Sequence, residues 1–233
     1  MLLRLLGVIR FFIVKPDLLL IIKSAQFSFT ALLFPHSPAY AKTDETCLGS
    51  ERAEVGVMYL HGLELDRPSN EEKHNRKVLK AWAERRNLRV SLPRSPFLCG
   101  KKACWPREPE DALDASLAAA QKASGQCLGN RRLQMILGFS NGGYLVNRHF
   151  LRCQRRMVSL VSFGAAGPTT GTDLVEPIAG SQCDSLIVVA AREELTFRDA
   201  KKFSEFWSKK SLPVKFRSFT GKHGLDLETL GDL

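Results

Sequence analysis

Six short apolar bursts separated by amphipathic stretches predict an α/β domain of three layers, α/β/α, doubly wound around a mostly parallel six-stranded sheet. Three observations carry this. Each burst is nearly continuous in apolar residues rather than alternating, which is how a strand buried on both faces reads. The intervening stretches place apolar residues at helical spacing. The chain has 233 residues, 44% of them hydrophobic and 25% charged, enough for one domain with a sizeable core, with or without a leader.

The elements follow in order. Val55–Leu60 (VGVMYL) is the first strand, and Asn70–Arg86 a helix with Val78, Leu79 and Trp82 at helical spacing. Leu88–Leu92 is the second strand, followed by a Pro- and Cys-rich loop from Pro93 to Pro109. Glu110–Ser124 is an alanine-rich helix, Leu133–Phe139 the third strand and Asn141–Cys153 a helix. Val158–Phe163 is the fourth strand, and Gly164–Cys183 a Gly/Thr/Pro loop. Ser185–Ala191, the helix Phe197–Lys209 and Val214–Phe219 complete the series. In such sheets, working residues gather just beyond the carboxyl ends of the strands. Here those positions hold His61-Gly62-Leu63, Pro93–Pro96, Ser140, Gly164–Thr170, Arg192–Glu194 and Thr220–His223.

The chain before residue 42 reads as a targeting segment. Arg4, Arg10, Lys15 and Lys23 make a positive start, Ser24–Phe34 is an uncharged, mostly apolar run, and Pro38-Ala39-Tyr40-Ala41 offers an Ala-x-Ala cleavage site after Ala41. No uncharged run approaches the ~18–20 residues of a spanning helix. The expectation is a signal peptide or N-terminal targeting segment over 1–41 and a domain over 42–233, exported to a periplasmic or secreted location. The membrane then enters only through an uncleaved leader. All six cysteines (Cys47, Cys99, Cys104, Cys127, Cys153, Cys183) follow Ala41, and an even count in an exported domain points to disulfides. Cys99 and Cys104 flank a short loop and are the first expected pair. With no second close Cys or His pair beside them, they are a poor zinc site, so no metal or cofactor is expected.

The formal net charge is +10. Four basic residues and one acid, Asp17, put +3 of it in the first 41 residues and leave +7 on the rest. The basic positions are scattered, with no stripe of interleaved aromatics, so they read as a solvated surface and no nucleic-acid partner is expected.

The chemistry concentrates at Ile136–Val146, ILGFSNGGYLV. Gly138-Phe139-Ser140-Asn141-Gly142 fits G-x-S-x-G between a strand and a helix. A sharp strand-to-helix turn holds such a serine in a strained conformation, and side chains two residues before or after it would strike the neighbouring backbone. Its oxygen then projects above the sheet at a helix N-terminus, which favours developing negative charge. The plain alternative is a glycine-rich turn capped by serine.

A nucleophilic serine needs a base. Of five histidines, His36 falls in the leader, and His74 and His149 lie inside helices as surface or packing residues. His61 directly follows the first strand. His223 follows the last, in Thr220-Gly221-Lys222-His223-Gly224, where a loop imidazole can reach over the sheet to Ser140. The imidazole in turn needs an acid. The fifth strand ends in Arg192-Glu193-Glu194. Either glutamate can serve. Glu194, three residues beyond the strand-end Ala191, is preferred, with Asp173 and Asp184 as outside candidates.

The order Ser140, Glu194, His223, with His61-Gly62 after the first strand, the GFSNG elbow and the GKHG loop, resembles the α/β-hydrolases over about Val55 to Gly224. The resemblance is to compact, lidless members such as small secreted esterases, dienelactone-hydrolase-like and polyester-depolymerase-like proteins. It implies an oxyanion hole made by the backbone N–H groups of Leu63 and Asn141, with His61 shaping the first loop rather than acting as base. It also implies that the first two strands of the full fold are absent. Only Pro93–Pro109 and Gly164–Cys183 are long insertions, and Trp105 in the first is either a cleft wall or a core anchor. The implied activity is a serine hydrolase on carboxylic esters, small-molecule or polymeric. A peptidase, an acyltransferase or a non-catalytic binding module on the same scaffold are the alternatives.

Overall fold

The computed structural model describes residues 46–65, 67–106, 110–152, 158–167 and 185–233, all within the unit Lys42–Leu233. The targeting segment, Cys153, Cys183, Asp173, Asp184 and most of the expected Gly164–Cys183 loop lie outside the described residues. Nine strands and five helices follow in order among the described residues: β1 (Cys47–Gly49), β2 (Val55–Leu60), α1 (Asn70–Arg86), β3 (Arg89–Ser91), β4 (Leu98–Cys99), β5 (Lys102–Ala103), α2 (Glu110–Leu128), β6 (Arg132–Phe139), α3 (Asn141–Arg152), β7 (Ser159–Phe163), β8 (Leu186–Ala191), α4 (Phe197–Lys209), β9 (Val214–Phe219) and α5 (Leu227–Gly231).

The main sheet has seven strands in the order β1-β3-β2-β6-β7-β8-β9. Every pairing is parallel except β1 with β3. The doubly wound, mostly parallel architecture is as expected, and the six-strand count is corrected to seven. Likewise, the expectation that both leading strands are absent is corrected, because one strand, β1, precedes β2. That strand escapes a pattern search because it is three residues long with a single buried side chain, Leu48. Its stability comes from pairing with β3, where Leu48 lies opposite Val90.

Alternation along the strands sends apolar side chains to both faces. Met58 and Leu60 of β2 join Val188 and Ala190 of β8 in one core with α2, α3 and α4, through Leu117, Leu145, Phe203 and Trp207. Val57 and Tyr59 join Leu137, Phe139 and Val189 in the opposite core with α1 and α5, through Leu79, Trp82 and Leu230. Helix α1 starts where Ser69 accepts a hydrogen bond from Glu72 N–H (3.1 Å) and stops at Asn87, whose φ of 51° is left-handed. Helix α2 runs on to Leu128, past the expected end at Ser124, because Cys127 and Leu128 are buried. Leu128 fills the space over Gly56 of β2.

From β2 the chain winds outward to β3, then returns to place β6 on the other side of β2. This reversal is a topological switch point, and the crevice beyond the carboxyl ends there is the usual ligand site. Register aligns those ends: Leu60 with Gly138, Phe139 with Phe163, and Ala191 with Phe219. The loops bearing His61, Ser140, Gly164, Glu194 and His223 therefore emerge along one edge.

Candidate active site

Ser140 sits between β6 and α3 with φ of +50°, a left-handed conformation that a serine holds only under constraint. The constraint is visible. Ser140 N–H donates to Phe163 O (2.8 Å), Ser140 O accepts from Tyr144 N–H (3.0 Å), and Gly142 N–H donates to His61 O (3.1 Å). A Cβ on Gly138 would strike the Gly142 carbonyl, and one on Gly142 would strike the Leu60 carbonyl. Both positions are thus closed to a side chain by backbone contact.

His223 occupies the loop after β9. Its Nδ1–H donates to Glu194 Oε2 at 2.7 Å. The Glu194 side chain is 2% exposed and that of His223 is 35% exposed, so a nearly dry carboxylate faces an accessible ring. Glu193 points outward, exposed. The other Glu194 oxygen, Oε1, is buried and makes no hydrogen bond among the described residues, so the imidazole is the partner this carboxylate serves. The ring packs against Phe139 at 4.6 Å between centroids. Beneath it lies Gly164, with φ of +60°, where a Cβ would overlap His223 Cε1 and Nδ1. In the sequence, Gly164 marks only the start of the expected loop. A glycine directly after a strand was the available signal.

Ser140 and His223 line the same cavity, of about 170 Å³, together with Gly62, Leu63 and Phe139. Among the described residues no hydrogen bond joins the Ser140 hydroxyl to the ring. Such contacts commonly tighten only around bound substrate. The cavity wall also carries Glu64, Glu71 and Glu72. Glu71 is exposed, and the Ser69 hydroxyl holds its carboxyl below the usual range.

Two backbone donors next to Gly62 and Ser140 lack a partner among the described residues. Asn141 opens α3, so its N–H has no carbonyl to bond within the helix. Leu63 N–H likewise makes no hydrogen bond among the described residues. Its loop is braced on both sides. Glu64 pairs antiparallel with Ala103 of the β4–β5 hairpin, Glu64 N–H donating to Ala103 O at 3.0 Å. His61 donates from Nδ1 to Gly62 O (2.5 Å) and accepts at Nε2 from Ser95 N–H (3.0 Å). Those partners require the neutral tautomer, and burial lowers the His61 pKa in the same sense. With both nitrogens engaged, His61 shapes the loop and is excluded as the base.

The Asn141 side chain, which the motif does not single out, accepts from Trp105 N–H at 2.6 Å and ties the Pro93–Pro109 segment to the elbow. Trp105 resolves as a core anchor. It is fully buried, with its ring 5.1 Å from that of His61. The cysteines Cys99 and Cys104 are brought together, with Cα atoms 5.7 Å apart, and so are Cys47 and Cys127, at 5.6 Å. Both separations suit a disulfide. His149 is a packing residue of α3 with its pKa lowered by burial. Among the described residues no group of three His, Cys, Asp or Glu side chains is placed to hold a metal ion.

No family model matches the chain, and no curated protein matches it in sequence. Solved structures do match in fold. SOBER1 from Arabidopsis thaliana superposes with a TM-score of 0.54 at 14% identity, covering 76% of this chain and 94% of that one. Esterase PE8 gives 0.52 at 15% identity, covering 80% and 93%. The carboxylesterase of Bacillus cereus gives 0.52 at 13% identity, covering 80% and 89%. Together with the seven-stranded, mostly parallel sheet and its helices on both faces, these likenesses establish that the chain has the α/β-hydrolase fold.

Proposed function

We propose that this protein is a serine hydrolase of carboxylic esters, with Ser140 as nucleophile, His223 as base and Glu194 as the orienting acid. The observation that carries the reading is the 2.7 Å bond from His223 Nδ1 to buried Glu194, made by a ring that shares a cavity with a strained serine. With Nδ1–H committed to Glu194, Nε2 is left as an acceptor for the Ser140 proton. As Ser140 Oγ bonds to the ester carbonyl carbon, the carbonyl oxygen becomes negative and takes hydrogen bonds from Leu63 and Asn141 N–H. The imidazolium returns its proton to the leaving alkoxide, which departs as the alcohol and leaves an acyl-serine. Water, deprotonated by His223, then attacks the acyl carbon, and the acid leaves as Ser140 regains its proton. Removing one oxyanion donor from such a site costs ~10²–10³ in rate.

The cavity of about 170 Å³ accommodates a short acyl group, and the exposed Glu71 carboxylate in its wall disfavours an anionic one. The names of the fold neighbours, esterase and carboxylesterase, agree with ester chemistry. We place the enzyme in an oxidising compartment beyond the cytoplasm, on the Ala-x-Ala site at residues 39–41 and the paired cysteines Cys47/Cys127 and Cys99/Cys104. Hydrolysis of p-nitrophenyl esters of rising chain length, beside peptide and polyester substrates, tests the activity. Acetate or butyrate should be cleaved fastest, with Ser140→Ala inactive. Peptide cleavage without ester cleavage would overturn the ester reading. Thiol counting on protein recovered from the cell envelope should find those four cysteines oxidised.

A further inference from the structure

The loop that carries His223 has little structure of its own. Between the end of β9 at Phe219 and the start of α5 at Leu227, the backbone of residues 220–224 makes one hydrogen bond among the described residues, from Glu193 N–H to Gly221 O. A catalytic imidazole needs placement to within ~0.5 Å, so something else must hold it.

The support comes from helix α1, about 150 residues earlier in the chain. Leu225, two residues after His223, has both backbone polar groups engaged by neighbouring side chains. Leu225 N–H donates to Asn75 Oδ1 at 2.8 Å, and His74 Nε2–H donates to Leu225 O at 3.0 Å. The Leu225 side chain is buried in the core beneath. Gly224, between the clamp and the histidine, packs closely: a Cβ there would lie 3.3 Å from His74 Cδ2.

The Asn75 amide is itself fixed in direction. Its Nδ2 donates to Tyr59 Oη (3.1 Å), and Tyr59 spends its own proton on Glu72 Oε2 (2.8 Å). Burial and the neighbouring Glu72 charge raise the Tyr59 pKa well above its usual value, so the phenol keeps that proton. Asn75, fully buried, therefore turns its oxygen and not its nitrogen toward Leu225. The buried row Glu72–Tyr59–Asn75 makes no hydrogen bond to the Ser140 hydroxyl among the described residues, yet it ends on the loop of the base.

We propose that His74 and Asn75 are positioning residues for His223, gripping Leu225 from α1 so that the imidazole stays between Glu194 and Ser140. The inference rests on the reading of His223 as the base. Its test uses the full chain and the hydrolysis of p-nitrophenyl acetate. It also follows the low-field proton resonance of the His223 Nδ1–H bonded to Glu194, which a merely stabilising residue would leave in place. Asn75→Ala should lower kcat by ~10²-fold and His74→Ala by ~10-fold, each with KM within about twofold, because misplacement of the base costs turnover rather than binding. The low-field resonance should broaden or vanish in both. His74→Gln, whose amide can reach the same carbonyl, should recover most of the rate and the resonance. His74 lies on the exposed side of α1, so its variants decide the matter if Asn75→Ala does not fold. Wild-type kcat and an unchanged resonance in folded His74→Ala would overturn the clamp while leaving the triad intact. A fully active His223→Ala would overturn the triad itself and the clamp with it.

Discussion

Ser140 and His223 face one cavity, but they are anchored by opposite means. Ser140 is held through backbone groups: the elbow and its two obligatory glycines, on β6 and α3, pack against and bond to backbone carbonyls at the ends of β2 and β7. His223 is held remotely, by an acid after β8, a glycine after β7 and two side chains of α1. A strained turn can be specified by a few consecutive residues, because the strain and its relief are both in the backbone. A side chain on an otherwise unpaired loop needs partners from elsewhere in the fold. The serine should therefore tolerate loss of distant side chains, whereas the histidine should not.

Substitutions test this contrast. The largest effect is expected from Ser140→Ala, which should lower kcat on the order of 10⁶-fold in steady-state ester hydrolysis without changing the melting temperature appreciably. Next, Glu194→Gln should cost roughly 10⁴-fold, since the imidazole loses its orienting charge. Exposed Glu193→Gln should stay near wild type, and the reverse ranking would move the acid by one position. Gly164→Ala probes the remote support by a steric route. Its Cβ would meet the His223 ring, so kcat should fall by ~10²-fold. A near-normal rate would mean that the ring sits elsewhere during turnover.

The smallest effect concerns pH. Burial raises the Glu72 pKa from 4.5 to about 7, with Tyr59, Arg76 and Glu64 as the facing groups. Between those values the folded protein holds one more proton than the unfolded chain. Stability from this group is thus complete below about pH 4.5 and is lost as pH rises through about 7, by at most about 3 kcal/mol. Urea unfolding across that window should show the decline in wild type and its absence in Glu72→Gln. Equal slopes in both would remove Glu72 as the cause.

The same local-versus-remote distinction explains what the sequence alone revealed. Helices α1 and α4 fall on their expected bounds, Asn70–Arg86 and Phe197–Lys209, because each carries its own periodicity and caps or polar flanks. The places of Ser140, Glu194 and His223 just past three strand ends are readable from motif and order. Strand β1, the two-residue strands β4 and β5 and the five-residue α5 were not, since each is too short for a pattern and persists through tertiary contacts. Gly164, His74, Asn75 and the Asn141 side chain were hidden for a related reason. Their partners lie far away in sequence or in a loop without periodicity, and nothing local marks them.

Covalent labelling identifies the nucleophile itself. The wild-type protein is treated with a fluorophosphonate probe, digested, and the modified residue located by mass spectrometry. A single adduct on Ser140, abolished in Ser140→Ala and strongly slowed in His223→Ala, is the predicted result. An unlabelled wild type, or an adduct on any other residue, would contradict the assignment of Ser140 as the activated nucleophile.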